Sequence, residues 1–182
     1  MSAAPFQISR RRWRQLLAEL EVRGRGRRES GAFLLAATGG SKVVAVAYYD
    51  DLDAECLTGG ISFASAGFTA LWTLCAEWSL KVVADIHTHP GAWVRQSTID
   101  ATNPMISTPG HVAIIAPDYG RPARVSECGV HIYLGSHQWV RVADLDIEST
   151  VTVFDLCSRH QIAAIRDAVL TVARNIWRRR TQ

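Results

Sequence analysis

The chain has 182 residues, 48% of them hydrophobic and 20% charged, which excludes a disordered protein and suits one globular domain with a real core. The net charge is +3, too small for a polycationic partner-binder overall, although the positive charge is clustered. No apolar run approaches the roughly 18–20 residues that span a bilayer, and arginines follow an opening segment that has no apolar stretch, so the expectation is a cytoplasmic protein without membrane contact.

Residues 9 to about 23 read as a helix, with Trp13, Leu16, Leu17 and Leu20 on one face and Ser9 as its cap. Gly24 and Gly26 break it. Residues 31–37 and 43–49 are short apolar runs around a Thr-Gly-Gly-Ser turn and predict a hairpin. Residues 50–60 are polar and irregular. From 63 to about 81 the pattern predicts a helix, apolar nearly all round and deeply packed, with Phe68, Leu71, Trp72, Cys75 and Ser79 on one side. Residues 82–86 predict a buried strand. A short, broken helical piece is expected between Asn103-Pro104 and Pro109-Gly110. Residues 111–116 form another strand, and 130–134 with 139–142 a closing hairpin. Ile162, Ile165, Val169, Val172 and Ile176 give a C-terminal helix over about 159–179 a narrow apolar seam. Residues 1–182 are therefore read as one α/β domain, a mixed central β-sheet flanked by helices.

The four cysteines, Cys56, Cys75, Cys128 and Cys157, form no CxxC pair, which speaks against thiolate zinc sites and redox motifs. Lys42 and Lys81 are the only lysines among 20 basic residues. Arginines cluster at 10, 11, 12 and 14, at 23, 25, 27 and 28, and at 178, 179 and 180. They read either as a patch for nucleic acid or an acidic protein surface or as solvated helix faces and basic ends, and the second reading is favoured because no aromatic-interleaved RNA motif accompanies them.

The chemistry concentrates between His87 and Asp100. Strand side chains alternate, so His87 and His89 point the same way, and Pro90 ends the ladder. Ser97-Thr98-Ile99-Asp100 looks like a first helical turn with a capping box. Two imidazoles and one carboxylate offer three ligands to a zinc ion and leave a fourth position open for water. Each part also has a bland reading: a structural His pair, a plain cap, and, for Glu29 beside Arg27 and Arg28, a surface ion pair.

Taken together, Glu29-Ser-Gly-Ala-Phe-Leu-Leu, then His87-Thr-His89-Pro, then Ser97-x-x-Asp100 resemble the JAMM motif of the JAB/MPN family of zinc metallopeptidases. The likeness covers about the first two-thirds of the chain. Thr88 stands where the family often has Ser, and the loop carries Gly91, Trp93 and Arg95 where prolines are common. The resemblance implies a JAB/MPN-like domain with cytidine deaminase-like layering. It implies one Zn2+ per chain on His87, His89 and Asp100, Glu29 as general base and Ser97 as donor to the developing oxyanion. It also implies an isopeptidase that hydrolyses the amide after the C-terminal tail of a ubiquitin-like protein. The pattern looks most like bacterial deubiquitinase-like members, some of them encoded beside activating- and conjugating-enzyme-like proteins and tied to anti-phage defence.

Other readings stay open: a non-catalytic MPN-type scaffold, a nucleic-acid-associated protein, or a hydrolase that processes a sulfur-carrier protein. Asp85, two residues before His87 on the same face, is read as either a partner that orients an imidazole or a solvated acid, not a ligand. His111 starts a strand near the site. His131, His137 and His160 have no motif context. Trp93 and Arg95 lie where a substrate tail could touch them.

Overall fold

The structure, a computed structural model, describes residues 5–58, 60–143 and 146–155. The expected C-terminal helix at about 159–179, and with it Cys157, His160 and the last arginine cluster, lie outside these residues.

In chain order, β1 (Phe6–Ser9) leads directly into α1 (Arg10–Gly24). Then come β2 (Gly31–Ala37), β3 (Val43–Tyr48), α2 (Tyr49–Leu52) and α3 (Ser65–Glu77). The histidine-bearing strand β4 spans Leu80–Thr88 and is followed by α4 (Thr98–Thr102). The strands β5 (Val112–Ala116), β6 (Gly129–Gly135) and β7 (Gln138–Arg141), the short α5 (Ile147–Thr150) and β8 (Val151–Phe154) complete the described fold. No helix of the described residues is long and apolar enough to cross a membrane.

Six strands form a mixed sheet in the order β3-β2-β4-β5-β6-β7, in which only the β4–β5 pair is parallel. This is the mixed sheet flanked by helices that the alternation of elements predicts. Helix α1 lies on one face. Ser9 caps it, accepting from the Arg12 N–H, and Trp13, Leu16, Leu17 and Leu20 bury against Ala32, Leu34, Ala84, Ile86, Val112 and Ile114. Burying each such side chain contributes about 1.5–3 kcal/mol. On the other face α3 places Leu71, Leu74 and Cys75 against Phe33, Leu35 and Ala47. A bulge in β4 between its pairings with Leu34 and Leu35 lets both Val82 and Asp85 reach this second face.

Three expectations are corrected. Helix α3 ends at Glu77, short of Lys81, because Leu80 and Lys81 pair with Ala37 and Ala36 and the Thr38 N–H bonds to Ser79 O. Ladder hydrogen bonds to β2 thus displace the last helical turn, with Ser79 taking the left-handed φ of 51°. Nor is α3 buried all round, for Trp72 is exposed, as is Trp78 just past its end. Between Asn103 and Gly110 the chain is irregular, and no helix forms there.

The sequence pattern also missed a small parallel sheet, β1 with β8, which seats Phe6, Ile8 and Val151 in the α1-side core. Part of the arginine charge is used internally. Arg23 pairs with Glu19, Asp50 and Asp51 and lies over the Tyr48 ring. Arg12 donates to Val43 O, and Arg10 pairs with Asp155.

Candidate metal centre

Strand β4 delivers His87 and, just past its end, His89 to the α3 side of the sheet, where both are buried. Their Nε2 atoms stand 3.1 Å apart. Asp100 meets them from α4: Oδ2 is 3.2 Å from His89 Nε2, and Oδ1 is 3.6 Å from His87 Nε2. The capping box is present, the Asp100 N–H donating to Ser97 Oγ and the Ser97 N–H to Asp100 Oδ2. The cap therefore aims the carboxylate at the imidazoles as well as starting the helix.

Tautomer logic points the same way. His89 Nδ1 faces the Trp93 carbonyl at 3.2 Å, and a carbonyl can only accept, so Nδ1 carries the hydrogen. In the neutral ring Nε2 then offers its lone pair toward His87 and Asp100. The exposed indole of Trp93 stacks on His89, 14° from parallel, and shields it.

These three side chains could hold a metal ion. Ligand atoms around a tetrahedral zinc with bonds of ~2.0–2.1 Å stand about 3.3 Å apart. The observed 3.1, 3.2 and 3.6 Å separations fit that spacing without rearrangement. A nitrogen-nitrogen-carboxylate set is also one that zinc and its neighbours in the first transition row accept.

Charges at the site are strongly coupled. Burial works to raise the Asp100 carboxyl, but the hydrogen bonds to His87 and His89 outweigh it and hold Asp100 well below the ordinary carboxylate range. Burial works to lower His87, yet Asp100, then Asp85 and Glu29, leave it raised.

Glu29 lies on the segment that joins the basic turn after α1 to β2. Its neighbour Ser30 is doubly tied to Thr88: Ser30 N–H donates to Thr88 Oγ1 at 3.0 Å, and Thr88 N–H to Ser30 O at 2.9 Å. Glu29 is thereby fixed beside the histidine strand and lines one cleft of about 900 Å³ together with His87, Ser97 and Asp100. Burial pushes its carboxyl up, with His87 and His89 opposing and Asp100 adding to the rise. Among the described residues neither Arg27 nor Arg28 forms an ion pair with Glu29, and Arg28 donates instead to Leu57 O and Arg23 O.

Asp85 is not solvated, being 2% exposed. It accepts from His111 Nε2 at 2.6 Å and from the Tyr49 hydroxyl at 3.0 Å. Gly31 makes the second bond possible, since a Cβ there would meet the Tyr49 ring at 2.2 Å. His111 is thus paired with Asp85, two residues before His87 on the same face of β4. His131, which sequence context passed over, is also buried on this face and donates from Nε2 to Val94 O at 3.2 Å. His137 and Trp139 also line the cleft, and Arg95 is exposed.

Fold and site together define an α/β protein in which two buried histidines and the half-buried Asp100 could hold a metal ion beside a cleft. No protein-family model matches the sequence. The fold is similar to the solution structure of a protein from Desulfitobacterium hafniense, at 14% identity and TM-score 0.56, covering 85% of this chain and 97% of that one. It is similar also to a solution structure from Salinibacter ruber, at 17% identity and TM-score 0.51, covering 85% and 94%. A crystal structure of a JAB1/MPN domain protein from Archaeoglobus fulgidus matches at 17% identity with TM-score 0.34, over 76% of this chain and 95% of that one. At these identities the first two likenesses concern the fold alone.

Proposed function

We propose that this protein is a zinc metallopeptidase of the JAB/MPN kind, acting in the cytoplasm on the amide that follows the C-terminal tail of a ubiquitin-like protein. The observation that carries the reading is the convergence of Glu29, His87, Ser97 and Asp100 on one cleft, with the JAMM-like spacing in the sequence behind it. His87 Nε2, His89 Nε2 and one Asp100 oxygen would hold the ion. Bound there, zinc would lower the pKa of a water to about 7 and polarise a carbonyl.

The chain's own groups do the rest. Glu29, its carboxyl raised by burial, takes a proton from the attacking water on its carboxylate oxygen and returns it to the leaving amine. The Ser97 oxygen already accepts the Asp100 N–H, so its hydroxyl hydrogen is available to the substrate oxygen as negative charge builds. Such a donor contributes about 3 kcal/mol to the transition state. The partners in this reading are a ubiquitin-like protein or its conjugates, with the activating- and conjugating-type enzymes of the same pathway.

The test combines metal content and cleavage. The wild-type chain should carry one zinc and cut a ubiquitin-like fusion in a chelator-sensitive way. His87→Ala and Asp100→Ala should each lose both the zinc and the cleavage. Unchanged zinc content in either variant, measured by elemental analysis, sinks the ligand assignment. Cleavage by the wild type that persists in chelator sinks the zinc mechanism.

A further inference from the structure

The third ligand is set apart from the other two by residues 90–96, a loop with no regular hydrogen-bond ladder of its own. Asp100 can meet the histidines only if that loop keeps one path. Three of its carbonyls are held. Gly91 O accepts the Asp118 N–H, Trp93 O accepts His89 Nδ1, and Val94 O accepts His131 Nε2. The third contact comes from outside the motif, from a strand two places across the sheet.

Register explains why it lands there. Gly31, His87, Ile115 and Gly129 form one row across β2, β4, β5 and β6, and Phe33, Asp85, Ala113 and His131 form the next. Gly129 and His131 therefore share the face that carries the ligands. A Cβ at Gly129 would meet Val94 O at 1.8 Å, Val94 C at 2.9 Å and His131 Nε2 at 3.0 Å. The missing side chain is the space that Val94 occupies. Backbone atoms fill it, so no rotamer change could relieve the clash.

We propose that Gly129 and His131 are positioning residues for the third metal ligand: they seat the Val94 carbonyl on β6 and so hold loop 90–96 where Asp100 meets His87 and His89. This rests on the reading of the three side chains as a metal site. Neither residue is a ligand. The Val94 carbonyl can only accept, so His131 Nε2 carries the hydrogen in this contact, and burial lowers the ring's pKa.

The test uses the whole chain with zinc as the probe and two readouts. Zinc affinity is measured by competition with a chromogenic chelator, and amide exchange of residues 91–97 is followed in metal-free protein. Gly129→Ala and His131→Ala should weaken zinc binding about 10–100-fold, as lost outer partners of metal ligands do, and speed exchange in the loop. His131→Gln, whose carboxamide can donate to the same carbonyl, should recover much of both. A general loss of stability would instead speed exchange throughout the sheet, so faster exchange confined to residues 91–97 separates positioning of the loop from global destabilisation. His131→Ala adds no atoms and carries the test by itself if Gly129→Ala fails to fold. Unchanged zinc affinity and loop exchange in folded His131→Ala overturn the proposal. If the wild type binds no zinc, the metal reading falls, and loop exchange alone then decides for or against the clamp.

Discussion

The two faces of the central sheet are built on different principles. Beneath α1 the sheet is dry: Trp13, Leu16, Leu17 and Leu20 meet Ala, Leu, Ile and Val side chains. The α3 face starts in the same way, with Phe33, Leu35 and Leu71, and then turns polar. Asp85, His87, His89, His111 and His131 are all buried there. Each of these is partnered, as buried polar groups must be to avoid a large desolvation cost. The α1 face is mainly apolar, its buried Ser30 and Thr88 being paired with each other and with Leu20 O, so most of the sheet's polar burial falls on the α3 face. The division implies that changes in the polar part of the α3 face act on chemistry as well as stability, whereas changes on the α1 face act on stability alone.

The sharpest break in that comparison is Glu29→Ala. It should reduce turnover about 10²–10⁴-fold or more, the range for a general acid–base group, while one zinc per chain stays bound and thermal stability hardly moves. Retained turnover would take Glu29 out of the mechanism. On the opposite face Leu20→Ala should cost about 2–5 kcal/mol in denaturant unfolding, as a large-to-small core change does, with zinc content per folded molecule unchanged. Loss of zinc from folded Leu20→Ala would show that the faces are coupled. The smallest effect is expected from Tyr49→Phe, which removes one hydrogen bond from the buried Asp85 carboxylate. It should cost about 1–3 kcal/mol of stability and leave the metal in place. A cost near zero would mean that His111 alone satisfies Asp85.

Much of this was legible along the chain wherever the signal is local. The period of Trp13, Leu16, Leu17 and Leu20 located α1 to within a residue of each end, and Ser97-x-x-Asp100 announced a capping box that is present. His87 and His89 point the same way because strand side chains alternate. Where neighbours distant in sequence compete, local pattern failed. The apolar run through Leu80 resembles helix, yet ladder bonds to β2 take it. The four-residue strands β1 and β8 are too short to show a period, and each is defined by the other, across most of the chain. Tyr49 lies in a stretch that reads as the end of a strand, and nothing local says that its hydroxyl reaches Asp85 through the gap at Gly31.

The sequence by itself determined the donor types, the pairing of two imidazoles on one strand face and the cap that carries the carboxylate, because these depend on backbone period and on contacts within a few residues. Only the tertiary structure decided that Glu29 shares their cleft, that Asp85 is satisfied by Tyr49 and His111, and that Gly129 and His131 underlie the loop to Asp100. Those placements follow from strand order and register, which the packing of the whole sheet fixes and no short stretch of residues encodes.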